Sequence, residues 1–167
     1  MERTVIGVFR SRDELEKAIH ELRESGFSSE EVSVLARDDR DESRGDGDTM
    51  MGVADEDLSE GVTAGGILGG LAGLMAGIGA LAIPGVGPII AAGPVAGVLT
   101  GAVTGGVAGG LIDWGIPEER GRFYEGELRE GRMVALIKTE ERRTDRAERV
   151  LRDNGAKDIE THDADRS

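Results

Sequence analysis

The sequence predicts an α+β fold, a ferredoxin-like split βαβ domain interrupted by a glycine-rich antiparallel α-helical hairpin. Residues 4–36 and 132–161 each show the pattern strand, helix, strand. Either half is too small to hold a stable core, so we expect the two to form one sheet with its helices on one face. Between them lie an acidic stretch and a long uncharged stretch in which glycine recurs at every fourth position.

The N-terminal βαβ half is predicted over residues 1–37. A β-branched run from Thr4 to Phe9 predicts the first strand, and Ser11 begins a helix with Glu14 placed to close a capping box. Gly26 ends that helix, and a second strand follows around Val34. The buried helix positions recur at helical spacing: Leu15, Ala18, Ile19 and Leu22.

Residues 38–60 are predicted to be an acidic flexible linker. They carry many acidic and few apolar side chains, so they cannot bury enough surface to offset chain entropy. Their acidic run resembles a calcium loop, but an EF-hand needs glycine at its sixth position, where Arg44 stands. A solvated linker is therefore the better interpretation.

The stretch 61–112 has no charged residue and is predicted to be a glycine-zipper hairpin of two helices, about 62–82 and 89–112. A proline- and glycine-rich turn separates the helices, and its residues are Pro84, Gly85, Gly87 and Pro88. Two series of glycines define the zipper: Gly61, Gly65, Gly69, Gly73 and Gly77, then Gly93, Gly97, Gly101, Gly105 and Gly109.

Glycine at regular intervals within a helix needs a reason, because each glycine lowers helix stability by about 1 kcal/mol relative to alanine. Ten positions would cost on the order of 10 kcal/mol, which is comparable to the whole stability of a small domain. Residues four apart form a ridge, and removing their side chains leaves a groove that a second helix can enter. The ten glycines are therefore predicted to mediate helix packing or oligomerisation, with Gly69, Gly73, Gly101 and Gly105 mattering most.

The bulky faces of the predicted hairpin leave two interpretations open. Each helix is long enough to cross a bilayer, since about 20 residues suffice. Insertion would then give two crossings with both termini in the cytoplasm. However, the flanks are acidic and lack the Lys and Arg typical of cytoplasmic ends. In the alternative, the hairpin covers a sheet face or packs against a neighbouring hairpin in a soluble oligomer.

A connecting helix is predicted over residues 113–131. It starts at Gly115, Ile116, Pro117 and Glu118, where proline suits the first helical position and acids suit the first turn. The C-terminal βαβ half and tail cover residues 132–167. It contains a strand from Met133, a helix from Thr144, a stop at Gly155 and a short strand around Ile159, with His162 in a frayed tail.

Composition excludes several function classes. There are no cysteines and only two histidines, so no metal site is predicted, and no cofactor-binding or catalytic residues are found. Ser11 and Ser33 lack a His–Asp arrangement in the sequence. The net charge of −13 and the scarcity of aromatic residues argue against nucleic acid as a partner. The start of the sequence has no apolar run long enough for a signal peptide, so a cytoplasmic location is expected.

The segments GIPEERGRFYEGELREGRMVALIKT and VIGVFRSRDELEKAIHELRESGFSSEEVSVLAR resemble the bacterial general stress (heat-induced stress) protein family. A related group of predicted membrane proteins of unknown function has the same order of parts. The resemblance covers nearly the full chain except the acidic linker. It implies stress-linked expression, a cytoplasmic or membrane-associated location and no known catalytic residues.

Together these features predict a non-enzymatic general stress protein that associates with a membrane, self-assembles through the glycine-zipper hairpin, or does both. The expected partners are further copies of the chain and membrane lipid, with cytoplasmic or inner-membrane-associated localisation and no evident small-molecule substrate. One alternative is a soluble self-assembling structural protein with hairpins buried between subunits. Another is a small-ligand sensor domain, which rests on fold analogy.

Overall fold

A computed structural model describes residues 1–37, 79–83, 87–96 and 106–164. In chain order, the helices and strands are β1 (Glu2–Phe9), α1 (Arg12–Glu24), β2 (Val32–Arg37), β3 (Gly79–Ile83), β4 (Gly87–Ala92), α2 (Gly106–Ile112), α3 (Glu118–Arg129), β5 (Met133–Glu140), a 3₁₀ turn (Glu141–Arg143), α4 (Thr144–Asp153) and β6 (Lys157–Asp163). The predicted α+β class is confirmed.

Within the described ranges, the strands form one six-stranded sheet in the order β3-β4-β2-β5-β1-β6. Every neighbouring pair is antiparallel. Strand β5 from the C-terminal half lies between β1 and β2 of the N-terminal half, with Ile137 opposite both Val5 and Val32. The two halves therefore interleave in one sheet, as their small size predicts.

One face of the sheet is covered by α1 and α4. The predicted helix positions Leu15, Ala18, Ile19 and Leu22 are all buried there. Ser11 is the residue preceding α1, but its side chain makes no capping hydrogen bond, so the predicted capping box with Glu14 is wrong. The carboxyl group of Glu14 lies against Gly155 instead, where an added Cβ would be 2.9 Å from its Cδ.

The opposite face of the sheet is covered by α2 and α3. It holds a second core around Leu111, Trp114, Tyr124 and Leu128, packed on the alternate residues of the strands, such as Ile6. Helices α1 and α4 of the two βαβ halves therefore share one face, as predicted, and α2 and α3 add a layer on the other face. Because successive side chains on a strand point to opposite faces, the central strands supply apolar residues to both cores.

The predicted helical hairpin is wrong wherever the structure describes its central part. Residues Gly79–Ile83 and Gly87–Ala92 are strands, paired from Gly79 opposite Ala91 to Ile83 opposite Gly87. The chain does reverse between these strands, although 84–86 lie outside the described residues. Strand β4 forms because the outer edge of β2 is available for pairing, and β4 pairs there with Val34 to Arg37. Short apolar runs suit a buried strand as well as a helix.

Near the C-terminus, His162 belongs to β6 and its side chain is 18% exposed, so the frayed tail predicted there is wrong. Helix α1 ends at Gly26 and α4 at Gly155 as predicted, each in the left-handed conformation that closes a helix. Across the described ranges, no helix combines the length and the hydropathy that crossing a bilayer requires.

Candidate functional site

Two of the ten predicted zipper glycines, Gly93 and Gly109, lie within the described residues. The other eight lie outside them: Gly61, Gly65, Gly69, Gly73, Gly77, Gly97, Gly101 and Gly105. Of the predicted turn residues, Gly87 and Pro88 are the first residues of β4, and Pro84 and Gly85 lie outside the described ranges.

Neither described zipper glycine packs in a groove between two helices of the described ranges. Gly93 follows β4 with a positive φ, and a Cβ added there would overlap the carbonyl oxygen of Val32. The close approach at this glycine is therefore to strand β2. Gly109 lies in α2, and a Cβ added there would meet no atom of the described residues within 4 Å.

A close helix–helix contact does occur at Gly121 of α3, which the sequence analysis did not identify. A Cβ added at Gly121 would be 2.9 Å from the Cα and 3.2 Å from the Cβ of Ala108 in α2. The backbone N–H of Ala108 also donates a hydrogen bond to the carboxylate of Glu125, at 3.3 Å. The described end of the glycine-rich stretch thus uses small residues to pack against α3 of the same chain.

The predicted start of the connecting helix lies close to its expected position. Helix α3 begins at Glu118, directly after Pro117, and Ile116 is buried in the second core. Gly115 has φ +80, and the N–H of Ile116 bonds to the carbonyl of Leu111 to close α2. These residues therefore form a turn that connects α2 to α3.

A polar cluster around Glu160 joins α3 to β6. Arg120 binds both carboxylate oxygens, with Nε 2.9 Å from Oε2 and a terminal nitrogen 2.7 Å from Oε1. The hydroxyl of Tyr124 lies 3.0 Å from Oε2 and 3.2 Å from the carbonyl oxygen of Asp158. His162 Nε2 is 3.1 Å from the same Oε2 atom. Three donor groups thus converge on one carboxylate oxygen.

Aromatic rings complete this cluster. The guanidinium carbon of Arg120 lies 4.4 Å from the centre of the Phe123 ring and 5.5 Å from that of Tyr124. The two rings pack edge to face, with their centres 5.2 Å apart. Cation–π contacts and a two-point ion pair hold the guanidinium in one orientation.

The electrostatics of the cluster stabilise its ion pair. Burial alone would raise the pKa of Glu160, but hydrogen bonds from Arg120, His162 and Tyr124 outweigh it and lower the pKa. Burial raises the pKa of Tyr124, and the neighbouring Glu160 carboxylate raises it further. Tyr124 therefore remains a protonated hydrogen-bond donor at neutral pH, which suits a structural contact better than proton abstraction.

A second polar cluster joins the two βαβ halves at Glu31. Its carboxylate accepts hydrogen bonds from Thr139 at 2.8 Å and Arg143 at 2.6 Å. Arg143 also donates to the carbonyl oxygen of Gly26 and lies over the ring of Phe27. Burial would raise the pKa of Glu31, but hydrogen bonds from the Ser28 backbone and Thr139, and the charge of Arg143, lower it.

The residues around Glu160 had a partial signal in the sequence. Arg120 and Tyr124 are four apart on one helix, and Glu160 and His162 are two apart on one strand, so each pair shares a face. The signal was missed because the strand around Ile159 was expected to end before His162. Elsewhere, the described ranges hold no group of acidic or histidine side chains arranged for a metal ion.

Comparison with known proteins identifies the first part of the chain. Residues 4–82 match the family described as the heat induced stress protein YflT domain, which confirms the resemblance over that stretch. The match contains β1, α1 and β2 and ends within β3. No curated protein and no solved structure matches the chain.

Proposed function

We propose that this chain, with its heat induced stress protein YflT domain at residues 4–82, is a non-enzymatic stress protein that self-assembles through its glycine-rich segment. Its folded part would be a split ferredoxin-like domain, built from β1-α1-β2 and β5-α4-β6. The strand order β2-β5-β1-β6 supports this assignment, because the two βαβ halves interleave.

The observation on which the proposal depends is that the described parts of the glycine-rich segment belong to the folded domain. Strand β4 extends the sheet from β2, and α2 buries Val107 and Leu111 in the second core. A hairpin with helices over 62–82 and 89–112 would have to give up both β3 and β4. This favours packing against protein over two bilayer crossings.

The stretch 61–78, which precedes β3, is our candidate for the self-association surface. It is uncharged and has glycine at every fourth position from Gly61 to Gly77. Among the described residues, Met1 and Ile112 are the exposed large hydrophobics, so that surface offers no broad apolar patch. A self-association driven by apolar contact would therefore use the glycine-rich stretch.

The contacts of the polar cluster around Glu160 support a non-catalytic role. Arg120 and Tyr124 of α3 both bond to Glu160 of β6, and the carboxylate is already neutralised by Arg120. A general base needs a free acceptor within reach of its substrate. The arrangement of the cluster instead fits a structural contact between α3 and β6.

Sedimentation of the purified full-length chain tests self-assembly. We expect Gly69→Leu or Gly73→Leu to reduce the assembled mass, because a bulky side chain fills the groove that glycine leaves. Gly73→Ala is the matched control, since it keeps a small residue and should retain assembly. Circular dichroism should show that all variants keep a folded α+β domain. If both leucine variants have the same mass as the wild type, assembly through the glycines is excluded.

Membrane association is the second candidate function, favoured by the uncharged character of 61–78. Cells at native expression would be fractionated and their membranes washed with alkaline carbonate. Retention in the washed membranes and release by detergent would favour insertion. Recovery of assembled protein in the soluble fraction would favour self-assembly without a bilayer.

A further inference from the structure

Asn154 carries the only side-chain amide in the chain, because the sequence contains no other asparagine and no glutamine. It directly precedes Gly155, at the end of α4. Asparagine is a thermolabile residue, and its amide is lost fastest where the next residue has no side chain to shield the backbone nitrogen. A chain otherwise free of labile amides therefore keeps one at a position where it is chemically weak.

The reaction available at this step needs only water. The backbone nitrogen of Gly155 attacks Cγ of Asn154 and forms a bond to it, and the bond from Cγ to Nδ2 breaks. The proton of the Gly155 N–H leaves with the departing nitrogen as ammonia, which completes a five-membered succinimide ring. Water then opens the ring at either carbonyl, leaving an aspartate or an isoaspartate, whose backbone runs through the side chain.

The folded protein holds Asn154 in a conformation that cannot close this ring. Its ψ is 13°, so the nitrogen of Gly155 is nearly eclipsed with the backbone nitrogen of Asn154 and points away from Cβ. Ring closure needs the opposite, with that nitrogen turned toward Cβ. The N–H of Gly155 also donates a hydrogen bond to the carbonyl oxygen of Arg152 at 3.1 Å, which helps to close α4. Attack therefore requires the end of α4 to open.

Helix α1 holds the same step through two carboxylates. Nδ2 of Asn154 donates to Oε2 of Glu21 at 2.7 Å and to the carbonyl oxygen of Val150 at 2.8 Å. The carboxyl group of Glu14 lies against Gly155, where an added Cβ would be 2.9 Å from its Cδ. Negative charge this close opposes loss of the Gly155 proton. The packing of α1 on α4 therefore protects the step.

We propose that Asn154 and Gly155 form a modification site that marks chains that have opened: the amide is lost when α1 leaves the end of α4, and the product opposes the return of α1. The group that donated to Glu21 becomes a carboxylate within hydrogen-bonding distance of it. Two carboxylates this close cannot both be ionised without a cost in stability. An isoaspartate would also insert an extra carbon into the backbone where α4 closes. This modification is independent of self-association through the glycine-rich segment.

Intact-mass spectrometry of the purified full-length protein measures the reaction, because Asn154 is its only amide. At mildly alkaline pH, we expect the native protein to exchange its amide for an acid at least about tenfold more slowly than the same protein in guanidinium chloride, since the reaction waits for local opening. In guanidinium chloride, Gly155→Ala should slow the exchange, because its methyl group shields the attacking nitrogen. Equal rates in native and unfolded protein would overturn the proposal, as would an unfolded protein that keeps its amide.

Two variants of α1 test the protection under native conditions. Glu21→Ala removes an acceptor of the Asn154 amide and should speed the exchange several-fold. Glu24→Ala is the matched control, because Glu24 is an exposed carboxylate of the same helix that pairs with His20, and it should react as the wild type does. The proposal fails if the folded Glu21→Ala and Glu24→Ala proteins exchange at the same rate.

The effect of the product is tested with a substitution that the reaction itself makes. Asn154→Asp should lower the melting temperature by a few degrees. Adding Glu21→Gln should restore much of that loss, because the glutamine amide can donate to the new carboxylate, whereas adding Glu24→Gln should restore none of it. A melting temperature of Asn154→Asp equal to that of the wild type would mean that the product does not oppose the return of α1, and the proposal would be wrong.

Discussion

The two helical layers cover the same sheet but differ in chemistry. Helices α1 and α4 alternate buried apolar residues with charged ones, so each has a clear inner and outer face. Helix α2 has no charged residue at all, and its Gly109 has no atom of the described residues within 4 Å of an added Cβ. Helix α2 therefore packs through close backbone contact, between its Ala108 and Gly121 of α3, and not through a contrast between polar and apolar faces.

Both layers nevertheless depend on the same central strands. Along β1, Val5 and Phe9 enter the core under α1 and α4, and Ile6 and Val8 enter the core under α2 and α3. Losing either layer would expose one apolar face of β1 and β5 to water. We infer that the two layers stabilise each other through the sheet and unfold together.

The largest effect on stability is expected from replacing a buried leucine in either core with alanine. Leu22 of α1 and Leu111 of α2 are both fully buried, on opposite faces of the sheet. We expect Leu22→Ala and Leu111→Ala each to lower the free energy of unfolding by about 2–5 kcal/mol, because each leaves a cavity. Urea denaturation followed by circular dichroism measures both.

A single coincident transition in both variants would support shared stability. If Leu111→Ala instead produced an early transition confined to Trp114 fluorescence, the α2–α3 layer would be a separable unit. Trp114 is suited to this measurement because it is the single tryptophan and lies buried in the second core.

The same contrast explains which parts of the fold could be predicted from the sequence. The helix patterns around Leu15 and Leu151, and the stops at Gly26 and Gly155, are local signals that the structure confirms. They work because charged residues mark the solvent side and because glycine accepts a left-handed conformation.

The second layer could not be predicted in the same way. From Gly61 to Ile112 no charge marks an outer face, so periodicity could not decide between helix and strand. Strand β4 forms because β2 offers a free edge, which is a long-range fact that the local sequence does not contain. The cluster at Glu160 also depends on long-range pairing, since Arg120 and Glu160 are 40 residues apart.

A smaller effect on stability is expected from alanine substitutions at two glycines of α3. Gly121→Ala places a Cβ 2.9 Å from the backbone of Ala108, whereas the Cβ of Gly126→Ala meets no atom of the described residues within 4 Å. Alanine gains about 1 kcal/mol of helix propensity at either position. At Gly121 that gain should be exceeded by overpacking, which typically costs ~1–3 kcal/mol.

Thermal unfolding should therefore show that Gly126→Ala raises the melting temperature and Gly121→Ala lowers it. Gly126→Ala is the matched control for composition and helix propensity. Equal stabilisation by both substitutions would mean that α2 and α3 are less closely packed than the structure indicates.

The smallest effect on stability is expected from replacing the carboxylates of Glu31 and Glu160. Glu31 bonds the two βαβ halves together, and Glu160 bonds β6 to α3. The folded protein lowers the pKa of both, against the opposing effect of burial, through their hydrogen bonds and neighbouring cations. Each therefore contributes stability that is fully present above the ordinary glutamate pKa of about 4.3 and is lost as the pH falls through its lower folded-state pKa. Because both are partly exposed, their contributions at pH 7 should stay within about 1 kcal/mol.

Glu31→Gln and Glu160→Gln should each be less stable than the wild type at pH 7, and the difference should shrink toward zero as the pH is lowered past the folded-state pKa. Urea denaturation between pH 7 and pH 3 measures this convergence, with Glu119→Gln as a control for losing an exposed charge on α3. If only the Glu31→Gln curve converges with that of the wild type, the carboxylate of Glu160 does not fasten the second layer. If both converge, the contact between the βαβ halves and the contact between α3 and β6 each include an acid-sensitive ion pair.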